Sequence, residues 1–397
     1  MQFWSQEILY FILLSFIIEL SSQKINDMTF KELGVSEEII KGLNEMGIIT
    51  PTKIQEAAIP VLTEGTVDFV GQAQTGTGKT AAFGLPLLAQ IDPAQKHVQA
   101  LILSPTRELG QQIAKQLFKF TKYTDKVFTE AIYGGEKIDI QISRLNRPTQ
   151  IIVATPGRLI DLMKRKAVDI SKIKTLVLDE ADEMLSMGFK KDLTTIIEAT
   201  ASEKRNVWLF SATIPQDLNE IINKYVAKNA RRVNIDKQDS VNTGIDHQFV
   251  TGDDNNKLDT LAYFLKSMGK QRGIIFTKTK AAARTLSQQL TAKSYEVGLL
   301  EGDMLQKDRD KVMRAFKNKS LRLLVSTDVA ARGIDVANLA FVVHYQLPDQ
   351  TEYYTHRSGR TARAGKTGIS LALVNQFEIK KLRQIERELG IKFTQIR

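Results

Sequence analysis

Residues Val67–Ala82 read VDFVGQAQTGTGKTAA, and the rest of the chain is best understood outward from them. A short apolar run ends in a glycine-rich turn, which is followed by Lys79, Thr80 and small helix-forming residues. This order indicates a strand, a loop and a helix. The backbone N–H groups of such a loop and the Lys79 ammonium face phosphates, and the Thr80 hydroxyl ligates Mg²⁺. The strict pattern begins with glycine where this chain has Ala73, but the stretch still predicts a nucleotide-binding loop rather than an incidental turn.

Composition limits what surrounds this loop. A chain of 397 residues favours two domains, and 43% apolar with 25% charged residues is typical of globular proteins. The net charge of +10 suggests a polyanionic partner. The sequence has no cysteine and only four histidines, which excludes disulfides and thiolate zinc sites and argues against a histidine-only metal site. Any metal is therefore expected to arrive with the nucleotide.

The N-terminus carries an apolar run, Ile8–Ile18 (ILYFILLSFII). A spanning helix needs about 20 apolar residues, and a signal peptide needs a basic start and a small-residue cleavage site, so the run fits neither. Three interpretations stay open: a membrane-associating segment, a helix packed on the body, or sequence upstream of the true start. We favour the last because globular patterning begins at Met28. We expect no stable membrane insertion of residues 1–27.

From Met28 onward, apolar strand patterns alternate with helical ones, which predicts an α/β fold with mostly parallel sheets covered by helices on both faces. The strands predicted after the loop are Ala100–Leu103, Glu130–Tyr133, Ile151–Ala154, Thr175–Leu178 and Val207–Phe210. A second series comprises Gln248–Thr251, Gly273–Thr277, Glu296–Leu300, Leu321–Ser326, Ala340–His344 and Gly368–Val374. The polar stretch 234–246 (NIDKQDSVNTGID) predicts a short flexible linker between domains at 28–233 and 247–397.

An acidic cluster follows one of the predicted strands, in Lys174–Glu183 (KTLVLDEADE). The strand delivers Asp179 and Glu180 at its carboxyl end, where α/β sheets bind ligands. Phosphoryl hydrolysis needs one carboxylate to hold the metal and a group to orient the attacking water, and these two residues suit the tasks. The alternative is an acidic helix start favoured by the helix dipole.

A basic cluster, His356–Gly365 (HRSGRTARAG), spaces Arg357, Arg360 and Arg363 three residues apart. Such a row could supply a cation to the γ-phosphate in the transition state. A solvated basic face, or one that binds nucleic-acid phosphates, is the alternative from charge pattern alone.

Over Met28–Arg397 the chain resembles the DEAD-box family of ATP-dependent RNA helicases. The motifs that carry the resemblance in the first domain are Gly47–Gln55 (GIITPTKIQ), Ala73–Thr80, Pro105–Gly110 (PTRELG), Gly134-Gly135, Thr155–Arg158 (TPGR), Asp179–Asp182 (DEAD) and Ser211-Ala212-Thr213. Those in the second domain are Ile274–Lys280, Gly302-Asp303, Gln306 with Arg309, Ser326–Asp335 (STDVAARGID) and His356–Gly365. The resemblance implies two tandem RecA-like domains.

The resemblance also implies roles for individual residues. The catalytic group would be Lys79, Asp179, Glu180, Arg360 and Arg363, with Mg²⁺ held at Thr80 and Asp179, largely through water. Nucleotide binding would involve Phe30, Gln55, Ala73, Gln74, Thr75, Gly76, Thr77, Gly78, Lys79, Thr80 and Asp335. The residues linking the ATP and RNA states would be Asp182, Ser211 and Thr213. The RNA contacts would be Pro105, Arg107, Gly135, Thr155, Gly157, Arg158, Thr277, Gly302, Gln306, Arg309 and Thr327.

The implied activity is RNA-stimulated ATP hydrolysis coupled to domain closure and to local unwinding of short RNA duplexes or remodelling of RNA–protein complexes. An ATP-dependent RNA clamp with little unwinding is the alternative, since clamp and helicase need the same motifs. A DNA helicase of a related superfamily is a third interpretation, which the motif GIITPTKIQ fits less well. We expect RNA read through its backbone with weak sequence preference. The resemblance further implies a cytoplasmic monomer, with ribosome-assembly or RNA-decay proteins as candidate partners.

Two residues depart from the family pattern. Ser358 stands where the family more often has an apolar residue, and Ala362 where it more often has glycine. Neither removes an arginine, so we expect ATPase chemistry to survive. The chain ends at KFTQIR, which fits either a minimal member or a truncated one.

Overall fold

The structure, a computed structural model, describes residues 28–65, 67–74, 76–201, 205–235, 244–331, 339–362 and 367–396. The predictions made for Ile8–Ile18, Thr75, Asp335 and Arg363 lie outside these residues.

The first α/β unit is built on a seven-stranded sheet in the order β3-β4-β2-β5-β6-β1-β7. Its strands are β1 (Phe69–Gln72), β2 (Ala100–Leu103), β3 (Thr129–Ile132), β4 (Ile151–Ala154), β5 (Thr175–Asp179), β6 (Asn206–Ser211) and β7 (Arg231–Asn234). Its helices are α1 (Glu37–Glu45), α2 (Lys53–Thr63), α3 (Lys79–Gln90), α4 (Arg107–Phe120), α5 (Ile138–Leu145), α6 (Pro156–Lys164), α7 (Ala181–Ser186), α8 (Lys190–Ala199) and α9 (Gln216–Tyr225). Every strand pairing is parallel, as predicted.

The second unit repeats this plan with a parallel sheet in the order β10-β11-β9-β12-β13-β8-β14. Its strands are β8 (Ile245–Thr251), β9 (Gly273–Thr277), β10 (Val297–Leu300), β11 (Leu323–Thr327), β12 (Phe341–His344), β13 (Gly368–Val374) and β14 (Thr394–Gln395). Its helices are α10 (Lys257–Ser267), α11 (Lys280–Ala292), α12 (Gln306–Lys317), α13 (Asp328–Ala331), α14 (Thr351–Ser358) and α15 (Ile379–Leu389), with a 3₁₀ turn at Asp254–Asn256.

Both faces of each sheet are covered, which explains why the strands read as continuous apolar runs. On β2, Ala100 and Ile102 pack into the cluster that includes α1 to α4, whereas Leu101 and Leu103 pack into the cluster of α6 to α9. In the second unit, β11 directs Leu323 toward α10 and α11 and Leu324 toward α12. The alternation follows from the two-residue period of a strand.

The ends of the predicted linker differ in the structure. Asn234 is the last residue of β7, and the Ile235 N–H still donates to the Gln72 carbonyl of the first sheet (2.9 Å). Ile245 and Asp246 already belong to β8. Strand pairing at both ends therefore leaves fewer residues to connect the units than the sequence predicts. Among the described residues, no helix is long and apolar enough to cross a membrane.

The carboxyl ends of three adjacent strands gather the sequence motifs at one edge of the first sheet. β6 lies between β1 and β5, so Gln72, Asp179 and Ser211 end neighbouring strands. Ligands bind at this edge in α/β sheets. The two units also touch each other, and ion pairs cross between them, as described below. The fold thus places the candidate site at the carboxyl edge of the first sheet and brings the two units into contact at an interface.

Candidate active site

The loop after β1 has the backbone of a phosphate cradle. Gly76 and Gly78 have φ of 85° and 90°, in the left-handed region that favours glycine. Gly78 is the N-cap of α3, and a β-carbon there would collide with Gln55 Nε2. The loop therefore delivers the N-terminus of α3, with its free N–H groups and positive dipole end, to the site where an anion binds.

Lys79 holds this loop closed. Its Nζ donates to the Ala73 carbonyl oxygen at 2.8 Å, and the side chain is buried. The Thr77 hydroxyl donates to the Gln74 carbonyl oxygen in the same loop (2.8 Å). An ammonium bonded to a neutral carbonyl can exchange that partner for a phosphate oxygen, because the phosphate adds the attraction of an opposite charge to the hydrogen bond. Thr80, predicted to ligate Mg²⁺, is the second residue of α3.

The motif predicted to read adenine is tied to the phosphate loop by side-chain hydrogen bonds. Gln55 Nε2 donates to the Gly78 carbonyl oxygen (2.9 Å), and Gln55 Oε1 accepts from the Thr52 N–H (3.0 Å). The Thr52 hydroxyl donates to the Thr77 carbonyl oxygen (2.7 Å). Phe30 is buried in the cluster that contains α1 and α2, and its stacking role stays a prediction. Gln55, the residue predicted to read adenine, is therefore bonded directly to the phosphate loop.

Asp179 and Glu180 lie where the sequence predicts, at the end of β5. Asp179 is buried, and burial raises the pKa of its carboxyl to about 7, against the opposing charge of Lys79. Its Oδ1 accepts from the Glu180 N–H (3.0 Å). Glu180 has φ of 50°, a left-handed conformation that is uncommon for a residue with a side chain and that clusters at functional sites. A cation at Asp179 would favour the charged form of this carboxylate.

The residues predicted to link the ATP and RNA states form one hydrogen-bonded unit. Asp182 Oδ2 accepts from both the N–H (2.8 Å) and the hydroxyl (2.9 Å) of Thr213. Ser211 Oγ accepts from the Asp182 N–H (3.2 Å) and donates to the Thr213 carbonyl oxygen (2.7 Å). The acidic motif after β5 and the Ser-Ala-Thr motif after β6 therefore move together, since neither can shift without breaking buried hydrogen bonds.

The basic cluster divides into arginines with different surroundings. Arg357 is fully buried in α14, and its guanidinium makes two hydrogen bonds to the Asp328 carboxylate (2.5 and 2.7 Å). The same guanidinium donates to the Gln346 carbonyl oxygen (2.7 Å). Arg357 therefore anchors α14 to the residue after Thr327, and the finger role of Arg360, just beyond α14, and of Arg363 stays a prediction.

Both departures from the family pattern have a physical explanation. Ser358 is buried, and its hydroxyl lies 3.2 Å from His344 Nε2 and 2.9 Å from Ser370 Oγ, so this polar residue is satisfied where an apolar one is usual. The His344 ring stacks on Tyr354 of α14, with centroids 4.4 Å apart. Ala362 has φ of 54°, which explains the family's preference for glycine at this position.

Predicted RNA contacts from both units come together at the interface. A β-carbon at Gly135 would lie 3.6 Å from Gln306 Cγ and 3.7 Å from Arg107 Nη1. Gln306 Nε2 donates to Asp310 Oδ1 (2.8 Å), and Arg107 Nη2 lies 3.3 Å from Asp310 Oδ2. Arg309 Nε donates to Glu108 Oε1 at 2.7 Å. Residues about 200 positions apart in the chain thus form one polar cluster.

The remaining RNA candidates differ in exposure. Gly157 and Gly302 are exposed, and Arg158, which donates to the Glu136 carbonyl oxygen (3.1 Å), is half-buried with Thr155. Pro105 and Thr327 are buried. Thr277 has no exposed surface, and its hydroxyl donates to the Thr279 carbonyl oxygen (3.3 Å). The predicted contact between Thr277 and RNA is therefore not supported by this conformation.

Sequence reasoning missed the acidic partners across the interface. Glu108 and Asp310 pair with Arg309 and Arg107, and His356 Nδ1 lies 2.6 Å from Glu183 Oε1. Burial lowers the pKa of His356, but the hydrogen bond and charge of Glu183, with nearby acidic groups, outweigh it and the net shift is upward. Each of these residues sits inside or beside a quoted motif, but nothing in the sequence indicates that opposite charges meet across domains.

Comparison with known proteins shows the family to which the chain belongs. The family model described as DEAD/DEAH box helicase matches residues 52–221, and that of the helicase conserved C-terminal domain matches residues 256–365. The chain is 42% identical over 361 residues to the ATP-dependent RNA helicase CshA of Limosilactobacillus reuteri, covering 91% of this chain and 72% of the relative.

Solved structures give the same result for the fold. S. cerevisiae Dbp5 bound to RNA and ADP BeF3 matches with a TM-score of 0.84 at 33% identity, covering 93% of this chain and 95% of Dbp5. The DEAD-box helicase Mss116 bound to ssRNA and UDP-BeF matches with a TM-score of 0.84 at 28% identity, covering 94% and 81%. The two parallel sheets are therefore tandem RecA-like domains, and this chain belongs to the DEAD-box family of ATP-dependent RNA helicases, with a helicase core of the bacterial type.

Proposed function

We propose that the chain hydrolyses ATP at the loop 73–80 when RNA holds its two domains together, and that closure separates short RNA duplexes locally. The observation that carries the proposal is the cluster of Arg107, Gly135 and Gln306, in which RNA candidates of both domains lie side by side. A strand bound along this cluster contacts both domains, so RNA binding and closure favour each other. By thermodynamic reciprocity, ATP and RNA then raise each other's affinity.

The nucleotide roles follow from the contacts at the sheet edge. Lys79 and the N-terminus of α3 bind phosphate oxygens, and Gln55 binds the base while remaining linked to the loop. Glu180, held in its left-handed conformation beside Asp179, orients the attacking water. Arg360 and Arg363 supply positive charge to the transition state from the other domain.

Mg²⁺ is the metal that this donor set fits. Among the described residues, no group of three or more histidine or acidic side chains could hold an ion alone, so the metal would be shared with the phosphates. Asp179 and Thr80 would hold it, and Mg²⁺ would neutralise charge that develops on the transferred phosphoryl group. The raised pKa of Asp179 agrees with a carboxylate that is fully ionised only beside a cation.

RNA recognition through arginine, glutamine and glycine residues favours backbone contacts over base reading. Such contacts position a strand without carrying sequence information, and the ribose 2′-OH distinguishes RNA from DNA. We therefore expect weak sequence preference and binding that weakens as salt rises.

The test is ATP hydrolysis with and without single-stranded RNA, with single-stranded DNA as a control. The native chain should be stimulated by RNA and not by DNA, and Glu180→Gln should lose hydrolysis while still binding RNA and ATP. Glu38→Gln, which removes an exposed carboxylate on α1, is the matched control and should behave as the native chain. Absence of RNA stimulation in the native chain would refute the proposal, and displacement of a short duplex strand then tests unwinding.

A further inference from the structure

A basic groove runs along the interface between the two domains, and none of its lining residues belongs to the loop 73–80. Its cavity of about 540 Å³ lies between α4 of the first domain and α12 of the second. Its cations are Arg107, Lys115 and Lys119 from α4 and Arg314 and Lys317 from α12. Because each helix supplies one wall, the groove exists only when the domains are closed.

The positive charge of this groove is not neutralised from within. Its acidic residues, Glu108 and Asp310, already pair with Arg309 and Arg107. Lys115, Lys119 and Arg314 have no carboxylate within ion-pair distance in the part of the chain that the structure describes. Several like charges facing one cavity repel each other, and a bound polyanion removes that repulsion.

The groove is continuous with the proposed RNA cleft. Arg107 lines the groove, and the same guanidinium faces Gly135 and, through Asp310, Gln306. From Arg107 to Lys119 the cations follow α4 for about 18 Å at the helical rise per residue. A strand that leaves the cleft at Arg107 therefore meets positive charge again at Lys115 and Lys119, near the end of α4.

Polar atoms in the groove suit a ribose-phosphate chain. Among the described residues, the buried Nε of Arg107 and the buried Oε1 of Gln116 have no hydrogen-bond partner. Both atoms are closed to solvent in this conformation, so each side chain must turn before a phosphate oxygen accepts from the first or a 2′-OH donates to the second. Gln111 and Gln112 add two further amides to the lining, and both can donate and accept.

We propose that this groove binds the backbone of single-stranded RNA beyond the interdomain cleft, and that it does so only in the closed arrangement. The inference rests on the proposed function, because it extends the path of the same RNA. It predicts a second binding segment whose contribution depends on RNA length and on bound ATP. Shape and charge, not bases, are recognised there.

The experiment compares a short single-stranded RNA that fills only the cleft with a longer one, in the presence of a non-hydrolysable ATP analogue. The variant Lys115→Gln/Lys119→Gln/Arg314→Gln removes three groove cations. It should bind the short RNA as the native chain does and lose most of the affinity gained by lengthening. Since each single-strand phosphate contact contributes about 0.7 to the salt slope, the slope for the longer RNA should fall by about 2.

The matched control removes the same charge from the opposite face of the second sheet. Lys266→Gln/Lys270→Gln/Lys293→Gln changes residues in and just after α10 and at the C-cap of α11, and these helices pack on the face away from α12. It should keep the native dependence on RNA length. Without the ATP analogue, lengthening the RNA should bring little gain to any of the proteins.

The proposal would be overturned if the triple variant lost the same affinity for short and long RNA, or lost none for either. The second of these results would leave an acidic protein segment as the candidate ligand of the groove. Failure of the proposed function itself gives a different result, since the native chain would then show no ATPase stimulation by the short RNA. Thermal unfolding of the triple variant shows whether the helices remain folded.

Discussion

The His356–Glu183 pair gives a quantitative test of how the domains close. His356 of the second domain and Glu183 of the first are 14% and 6% exposed, with Nδ1 and Oε1 2.6 Å apart. His356→Asn keeps a neutral donor near the position of Nδ1 and removes the charge. The substitution therefore measures the charge on the pair rather than the hydrogen bond as a whole.

The magnitude follows from the loss of one of the two charges in this hydrogen bond. A hydrogen bond to a charged group contributes about 1.5–3 kcal/mol net, and we place the doubly charged pair at the upper end and a neutral amide on the Glu183 carboxylate at the lower end. Loss of the histidine charge should thus weaken closure by up to about 1.5 kcal/mol, which corresponds to an RNA affinity lower by up to about thirteenfold when an ATP analogue is bound. Glu183→Gln should have a similar effect, and the double variant should lose little more than either.

The same pair predicts the pH dependence of closure. The pKa of His356 is raised in the closed structure, mainly because the pull of Glu183, Asp182 and Glu180 exceeds the effect of burial. A raised histidine pKa stabilises the closed state fully below the ordinary histidine pKa, and the contribution is lost as pH rises through the raised value. RNA affinity should therefore fall on the alkaline side of about pH 6.5.

The assay is fluorescence anisotropy of labelled RNA from about pH 6 to about pH 9, at saturating Mg²⁺ and ATP analogue. Burial raises the pKa of the Asp179 carboxyl to about 7, so metal and nucleotide binding should improve as pH rises. Because this trend opposes the one expected from His356, Mg²⁺ and the ATP analogue are kept at saturating concentrations. Glu198→Gln, on the surface of α8, is the control. If His356→Asn retains the native pH slope, the reasoning about this pair is wrong.

Three further predictions concern backbone and packing. Gly78→Ala should lower ATP affinity and thermal stability, because the left-handed backbone costs about 1–2 kcal/mol for a residue with a side chain and the new β-carbon displaces Gln55. An unchanged ATP affinity would contradict the proposal that the loop 73–80 binds the phosphates. Ala362→Gly should raise the free energy of unfolding by up to about 1 kcal/mol, since φ is 54°, and a loss of stability would contradict this strain. Ser358→Ile should lower the free energy of unfolding by about 1–3 kcal/mol, because His344 Nε2 loses one of its two hydroxyl partners. Calorimetry should show a smaller loss in Ser358→Thr, which keeps a hydroxyl at this position.

Local sequence patterns predicted most of the fold because each one is decided within a few residues. β2, β4, β9 and β13 have the predicted bounds, since each is an apolar run ended by a polar or turn residue. Two of the four edge strands were missed for a physical reason: β7 carries exposed Arg231 and Arg232, and β14 has only two residues. An edge strand needs no apolar run, because one of its sides has no partner strand.

The sequence predicts the part of the candidate site that lies within one domain, but not the contacts between the domains. Lys79, Asp179, Asp182 and Thr213 meet because parallel strands end at one edge, which the alternation of strands and helices already implies. The pairing of Glu108 with Arg309 could not be predicted in this way. It depends on how two separately folded domains dock, and periodicity within either domain carries no information on that.

The crossed pairs at this interface link closure to RNA binding. Arg107 and Glu108 are adjacent in α4 and have opposite charges, and their partners Asp310 and Arg309 are adjacent in α12. Because a shift of one helix along the other would bring like charges together, the pairs fix the register of the domains. Both arginines are also proposed RNA contacts, so the carboxylates hold the guanidiniums in place before a strand arrives. RNA then binds donors whose conformational freedom is already restricted, and a smaller entropy loss accompanies binding.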